Sequence, residues 1–212
     1  MKQIITIGRE FGAGGGELGR RLARELGIAY YDRDIILRTA KVSAHLTPEQ
    51  VRRWDERVPH EFGFTQSLFN FYERPLSEEL WDAQVRAIRE IADKESCVIV
   101  GRCANAILKE RPCTFNVFIH APLVPRIGRV MKRENIDHME AAATIERIDA
   151  ERAEHCKHFT DTIWGKADAY HLSLDSSFEP SEENATIIAS LARAAFPEAP
   201  LSPCPEKPKG KS

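Results

Sequence analysis

Ile4-Ile5-Thr6-Ile7-Gly8-Arg9-Glu10-Phe11-Gly12-Ala13-Gly14-Gly15-Gly16-Glu17-Leu18 is the stretch whose reading decides the fold. Ile4 to Ile7 is a short β-branched run, the pattern of a strand buried on both faces of a parallel sheet. It ends abruptly in glycines, after which Leu18, Leu22, Ala23 and Leu26 recur at helical spacing as far as Gly27, a good helix stop. Ile28-Ala29-Tyr30-Tyr31 reads as a second strand, and Asp32-Arg33-Asp34 as the start of another helix. Strand, glycine loop, helix, strand is the opening of a βαβ unit.

Working outward, the same alternation continues. Leu80 to Ala92 has helical periodicity, Cys97-Val98-Ile99-Val100 is a central strand ending at Gly101-Arg102, and Ala104 to Leu108 restarts a helix. Phe115 to Ile119 makes another strand. Pro122 to Asn135 is a basic helix, and Met139 to His158 a long charged one. Leu172-Ser173-Leu174-Asp175 is the last strand, before a closing helix from Ser181 to Ala195. The expectation is a three-layer α/β/α domain around a five-stranded parallel sheet, with ligands gathered where loops leave the carboxyl ends of the strands. Thr47-Pro48-Glu49-Gln50 is a helix start, and Phe62, Phe64, Phe69, Phe71 and Tyr72 crowd a helical insertion at about 40–80. One domain therefore spans 1–196, and the Pro-, Lys- and Ser-rich segment 197–212 is expected to be a disordered tail.

The 212 residues are 42% hydrophobic and 29% charged with net charge −2, which excludes disordered and fibrous classes and argues against a general nucleic-acid binder. No apolar run approaches the roughly 20 residues of a membrane span. Ile4–Ile7 is too soon interrupted to be a signal peptide. Cys97, Cys103, Cys113, Cys156 and Cys204 contain no C-x-x-C pair and make no secreted disulfide framework, so a cytoplasmic enzyme is expected. The sequence does not choose between monomer and homodimer. His155-Cys156-Lys157-His158 lacks the accompanying ligands of a metal site and reads as exposed surface.

Gly12-Ala13-Gly14-Gly15-Gly16, with Glu17, lets successive backbone N–H groups face one point at a helix amino end, an arrangement suited to phosphate. A tight structural turn is the alternative. The standard phosphate-loop motif, G-x-x-x-x-G-K-[ST], is not matched: Arg9 takes the place of its first glycine and Gly15 that of its lysine, while Gly16-Glu17 stands where the hydroxyl belongs. Gly14 to Gly19 satisfies G-x-G-x-x-G, but Asp32 comes too early for the acidic residue of a dinucleotide site. Arg126, Arg129 and Arg133 repeat at three- and four-residue spacing and point several cations one way; a solvated face balanced by Glu134, Glu140, Glu146 and Glu151 is the alternative. Arg102 ends a central strand, where its guanidinium can hold a phosphate bidentately.

The string from Ile5 to Ala23, with Leu26-Gly27 and Tyr30-Tyr31-Asp32, resembles the cytidylate kinase-like family. So do Val98-Ile99-Val100-Gly101-Arg102, Phe118 to Ile127, Asp149-Ala150-Glu151-Arg152-Ala153, Trp164-Gly165 and Tyr170 to Ser177, in that order. The resemblance runs from Lys2 to about Ala195. It implies a P-loop NTPase-type fold with a helical lid at about 133–170, and transfer of the γ-phosphoryl of ATP to a nucleoside monophosphate such as CMP or dCMP, with Mg²⁺ held through the phosphates. It also implies roles: Arg9, Arg126 and Arg129 join the glycine loop in holding phosphate, Asp32, Arg102, Asp149 and Arg152 meet the acceptor, and Arg102, Arg133, Asp149 and Arg152 carry the chemistry. Small-molecule nucleotides are the implied partners. With Gly15 in the lysine's place, Arg9, Arg20 or Arg133 would have to supply the cation. The other readings are a non-catalytic nucleotide-binding regulator on the same fold, or a kinase of another small acceptor.

Overall fold

The computed structural model of the chain describes residues 2–32, 74–178 and 181–196. The expected helix after Asp32, the helix start at Thr47, the aromatic cluster Phe62–Tyr72 and the tail 197–212 lie outside the described residues.

The described elements are β1 (Ile4–Arg9), α1 (Gly15–Leu26), β2 (Ala29–Tyr31), α2 (Arg74–Lys94), β3 (Cys97–Val100), α3 (Ala104–Ile107), β4 (Thr114–His120), α4 (Leu123–Glu134), α5 (His138–Phe159), a 3₁₀ turn (Ala167–Ala169), β5 (Leu172–Asp175) and α6 (Ser181–Ala195). The strands form one sheet in the order β2-β3-β1-β4-β5, and every neighbouring pair is parallel. β1 therefore occupies the centre, with Ile7 opposite Val100 on one side and Val117 on the other. A strand there has no wet face, which is why Ile4, Ile5 and Ile7 are all apolar and fully buried.

The two faces of the sheet have separate cores. Ile5, Ile7, Val98, Val117 and Ile119 pack against Leu18, Leu22 and Leu26 of α1 and Ile188 and Ala192 of α6. On the opposite face Ile4, Cys97 and Ile99 pack against Ile88 and Ile91 of α2 and Ala104 of α3. These are the three layers expected from the alternating pattern. α1 ends as its sequence asks: Gly27 is left-handed (φ 65°), its N–H bonds to Arg24 O, and that of Ile28 bonds back to Ala23 O. That is a Schellman stop, and glycine meets its φ without steric cost.

α4 and α5 pair through a smaller apolar seam, Ile127 and Val130 against Ala141 and Ile145. Asp137 starts α5 by accepting the Glu140 N–H at 2.9 Å. The expected helix at Leu80 begins earlier, at Arg74, because Pro75 is tolerated in a first turn that carries no apolar stripe to announce it. No helix among the described residues is long and apolar enough to cross a membrane.

Candidate functional site

The glycine loop leaves the carboxyl end of the central strand, and side chains from α4, α5 and β5's end hold its carbonyls from outside. Arg152 donates to Arg9 O at 2.8 Å, Arg126 to Phe11 O at 3.3 Å, Arg129 to Gly12 O at 3.3 Å, and the Ser176 hydroxyl to Ala13 O at 2.7 Å. In a trans peptide the C=O of one residue and the N–H of the next point in opposite directions. With those carbonyls drawn outward, the amides of Gly12 and Gly14 turn to the other side. Gly14, itself left-handed, caps α1 without a side chain. The first-turn amides of Gly15, Gly16 and Glu17 therefore keep their donors where the helix end is most positive. The Glu17 carboxylate pairs with Arg21 at 2.7 Å, four residues along the exposed face. This loop fits an anion.

Arg126 and Asp149 are the keystone behind it. Arg126 is buried and pairs with one Asp149 oxygen, while the other Asp149 oxygen accepts the Phe11 N–H at 2.8 Å. Glu10 completes the knot, accepting from Ala121 N–H at 3.1 Å and lying 3.5 Å from Arg126 Nε. The resemblance puts Arg126 on phosphate and Asp149 on the acceptor. In the structure Arg126 Nη1 and the Asp149 carboxylate meet the loop's own backbone and each other. Arg129 is likewise tied to Gly12 and Ser176.

The remaining arginines converge on the mouth. Arg152 is pulled down to about 9, first by burial and then by the positive charges of Arg9, Arg102 and Arg133; Asp149, 3.9 Å away, only partly offsets this. It stays cationic at neutral pH, its depressed value reflecting burial first and the neighbouring arginines second. Arg133 stacks its guanidinium over the Phe11 ring at 4.8 Å, and Arg152 lies over the same ring at 5.6 Å. Arg102 follows β3 in a run of three left-handed residues, Gly101 (φ 81°), Arg102 (φ 58°) and Cys103 (φ 53°). A non-glycine residue in that region costs of order 1–3 kcal/mol, and such strain gathers at functional turns. Asp32 lies near Arg9 at the end of β2, and its negative charge favours the guanidinium that burial disfavours.

Between the ends of β1 and β3 and the inner side of α5 is a cavity of about 70 Å³, walled by Gly8, Arg9, Arg102, Glu151, Arg152 and His155 among others. That is room for roughly five water-sized bodies, enough for a phosphate-sized group. Glu151 and His155 have no place in the sequence-derived site, yet Glu151 Oε2 and His155 Nε2 are buried there without a hydrogen-bond partner among the described residues. Their spacing of four on one helix face was the signal. His155 is held down to about 4, first by burial and then by Arg102 and His158, and is neutral at pH 7. The expectation that His155 to His158 is exposed surface is corrected for half of it. Cys156 is buried and His155 lines the cavity; Lys157 and His158 are exposed. No group of three or more metal-ligating side chains stands together among the described residues.

Comparison with known proteins follows the same outline. The chain is 23% identical over 184 residues to a cytidylate kinase of Aeropyrum pernix, covering 86% of this chain and 94% of the relative. An uncharacterized protein from Eubacterium ventriosum shares its fold with a TM-score of 0.69 and 24% identity, over 91% of this chain and 99% of that one. Shikimate kinase from Acinetobacter baumannii aligns with a TM-score of 0.52 and 13% identity, over 92% and 94% of the two chains. The sequence model of the cytidylate kinase-like family matches residues 4–178, and the chain with this glycine loop and arginine cluster belongs to that family.

Proposed function

We propose that the protein transfers the γ-phosphoryl group of ATP to a nucleoside monophosphate, with CMP or dCMP as the acceptor to test first. The observation that carries this reading is the convergence of Arg9, Arg102 and half-buried Arg152 on one cavity at the mouth of an amide-lined loop, with the Asp149 carboxylate 3.9 Å from Arg152. Arginines gathered at one mouth repel one another, and a polyphosphate meeting a phosphate supplies negative charge between them.

In this reading the amides of Gly12 and of residues 14–17 hold the β- and γ-phosphates of ATP. Arg102 grips the acceptor phosphate with its planar fork, and Arg152 meets the charge that spreads over the transferring group in the transition state. Arg126 and Asp149 keep the loop in shape, and α5 covers the reaction from water. No side-chain hydroxyl follows Gly15, so Mg²⁺ would be held through the phosphates and water, and would supply positive charge to the transferring group. Glu151 and His155 offer an acceptor and a neutral imidazole to the hydroxyls or base of the bound nucleotide.

The test is a coupled turnover assay with ATP, Mg²⁺ and a panel of CMP, dCMP, UMP, AMP and shikimate. Turnover that depends on CMP or dCMP is the expected result; turnover with shikimate alone moves the protein to another acceptor class. Gly15 and Gly16 in place of lysine and hydroxyl favour one second reading, a nucleotide-binding regulator without catalysis. That reading predicts a rise in melting temperature with ATP and no turnover with any acceptor.

A further inference from the structure

A β-carbon added to Gly15 would lie 2.7 Å from Arg9 Cβ and 3.0 Å from Arg9 Cγ. Two β-carbons cannot stand that close, and neither can swing aside without moving backbone, so positions 9 and 15 share room for one side chain. Arg9 stands at the first glycine of the standard phosphate-loop motif and Gly15 at its lysine, six residues later. The two departures from that motif are therefore one event: the side chain lost at 15 is replaced by the one gained at 9, across the same spot. We propose that Arg9 is the catalytic cation of this loop, exchanged in position with the standard lysine.

The path of the side chain supports this. From its shared seat beside Gly15, Arg9 reaches the end of β3, where a β-carbon on Gly101 would fall 1.8 Å from Arg9 Nη1 and 2.7 Å from Cζ. Only glycine leaves that volume to the guanidinium. Arg9 thus begins at the loop that holds phosphate and ends beside Arg102 and the cavity, spanning the line a phosphoryl group would travel. Burial pulls its pKa down while Tyr30, Cys103 and Asp32 push the other way. A guanidinium in this environment stays charged. The other two candidates are engaged elsewhere: Arg20 over the Tyr30 ring at 5.3 Å, and Arg133 on Phe11 and on Glu134 at 2.6 Å.

The exchange can be run backwards. Arg9→Gly alone should lower turnover about 10²–10³-fold, the range for removing one preorganised charge-stabilising donor. Arg9→Gly with Gly15→Lys should recover to within about 10-fold of wild type, because it rebuilds the standard arrangement. Gly15→Lys alone, with Arg9 still present, should lower the melting temperature through the clash. Arg9→Gln keeps the stem and removes the charge, and Arg9→Lys keeps both; if Arg9→Gly does not fold, this pair gives the same contrast. Turnover depends on the kinase reading, so ATP–Mg²⁺ stabilisation is measured in parallel and does not. Loss of that stabilisation in Arg9→Gly or Arg9→Gln, and its return in the double variant or Arg9→Lys, supports the exchange even if no acceptor turns over. Wild-type turnover or ATP stabilisation that survives Arg9→Gly, or a double variant no better than the single, overturns it while leaving the kinase reading standing.

Discussion

α1 and α5 both border the glycine loop, and they are held by opposite means. α1 lies on the sheet through an apolar stripe, Leu18, Leu22, Ala23 and Leu26, each buried against strands on which it has no polar claim. α5 meets the loop through Asp149 and Arg152, and buries Ile145 and Ile148 away from the sheet core. Apolar burial is non-directional and carries no ion pair for salt to screen or pH to titrate. A buried ion pair is directional, and loses its balance when one partner goes. The floor of the site is thus fixed by area, and its roof is keyed by charge. Under the proposed function, the charge of the bound phosphates acts on the charge-held side and leaves the apolar side alone.

The hardest blow to this comparison is Asp149→Ala. It strands the buried Arg126 guanidinium and frees the Phe11 amide, and should cost about 3–5 kcal/mol in chemical denaturation. Adding Arg126→Met should recover part of that loss. If Asp149→Ala is neutral, the roof is not held by charge. Leu22→Ala, in the floor, should cost about 2–5 kcal/mol with no dependence on ionic strength. A salt-dependent cost there would erase the contrast.

Acid sharpens the same line. His155 has a folded-state value near 4 against an ordinary 6.5, so the unfolded chain takes the proton first. Its contribution is complete above pH 6.5 and is lost as pH falls toward 4, up to about 3 kcal/mol. Hydrogen exchange should accelerate across residues 138–159 in that window before it does across residues 15–26, and His155→Gln should flatten the response. Simultaneous loosening of both helices would contradict it. The smallest expected effect is Asp137→Ala, the α5 cap, at about 1 kcal/mol of helix stability. It should appear as fraying of 138–141 with turnover unchanged.

Legibility in the sequence divides along the same boundary. β1, the loop, α1 and the Gly27 stop follow from local patterns: a β-branched run, glycines, a helical stripe and a terminal glycine. β3 is read to the residue, Cys97–Val100, because a strand buried on both faces is apolar throughout. That the sheet is parallel and covered on both faces follows once strands alternate with helices; its order, β2-β3-β1-β4-β5, does not. The roof is different. Arg126 and Asp149 are 23 residues apart on two helices, and no spacing rule pairs them. Read along the chain, Arg126 belongs to a basic face with Arg129 and Arg133; in space it is buried while Arg133 is exposed. His155 and Cys156 look like surface because α5 is charged nearly all round, and only the third dimension shows which side meets the cavity. The relation between Arg9 and Gly15 is intermediate: the sequence shows both departures from the standard motif, but that they share one volume is visible only in atoms.

The central claim, that loop amides and guanidiniums form a cage for polyphosphate, is tested most directly by calorimetric titration of the wild-type protein with ATP–Mg²⁺ and with adenosine, each at low and high salt. ATP should bind saturably and more weakly as salt rises, and adenosine should bind at least about a hundredfold more weakly. Equal affinity for the two ligands, or ATP affinity indifferent to salt, would contradict it.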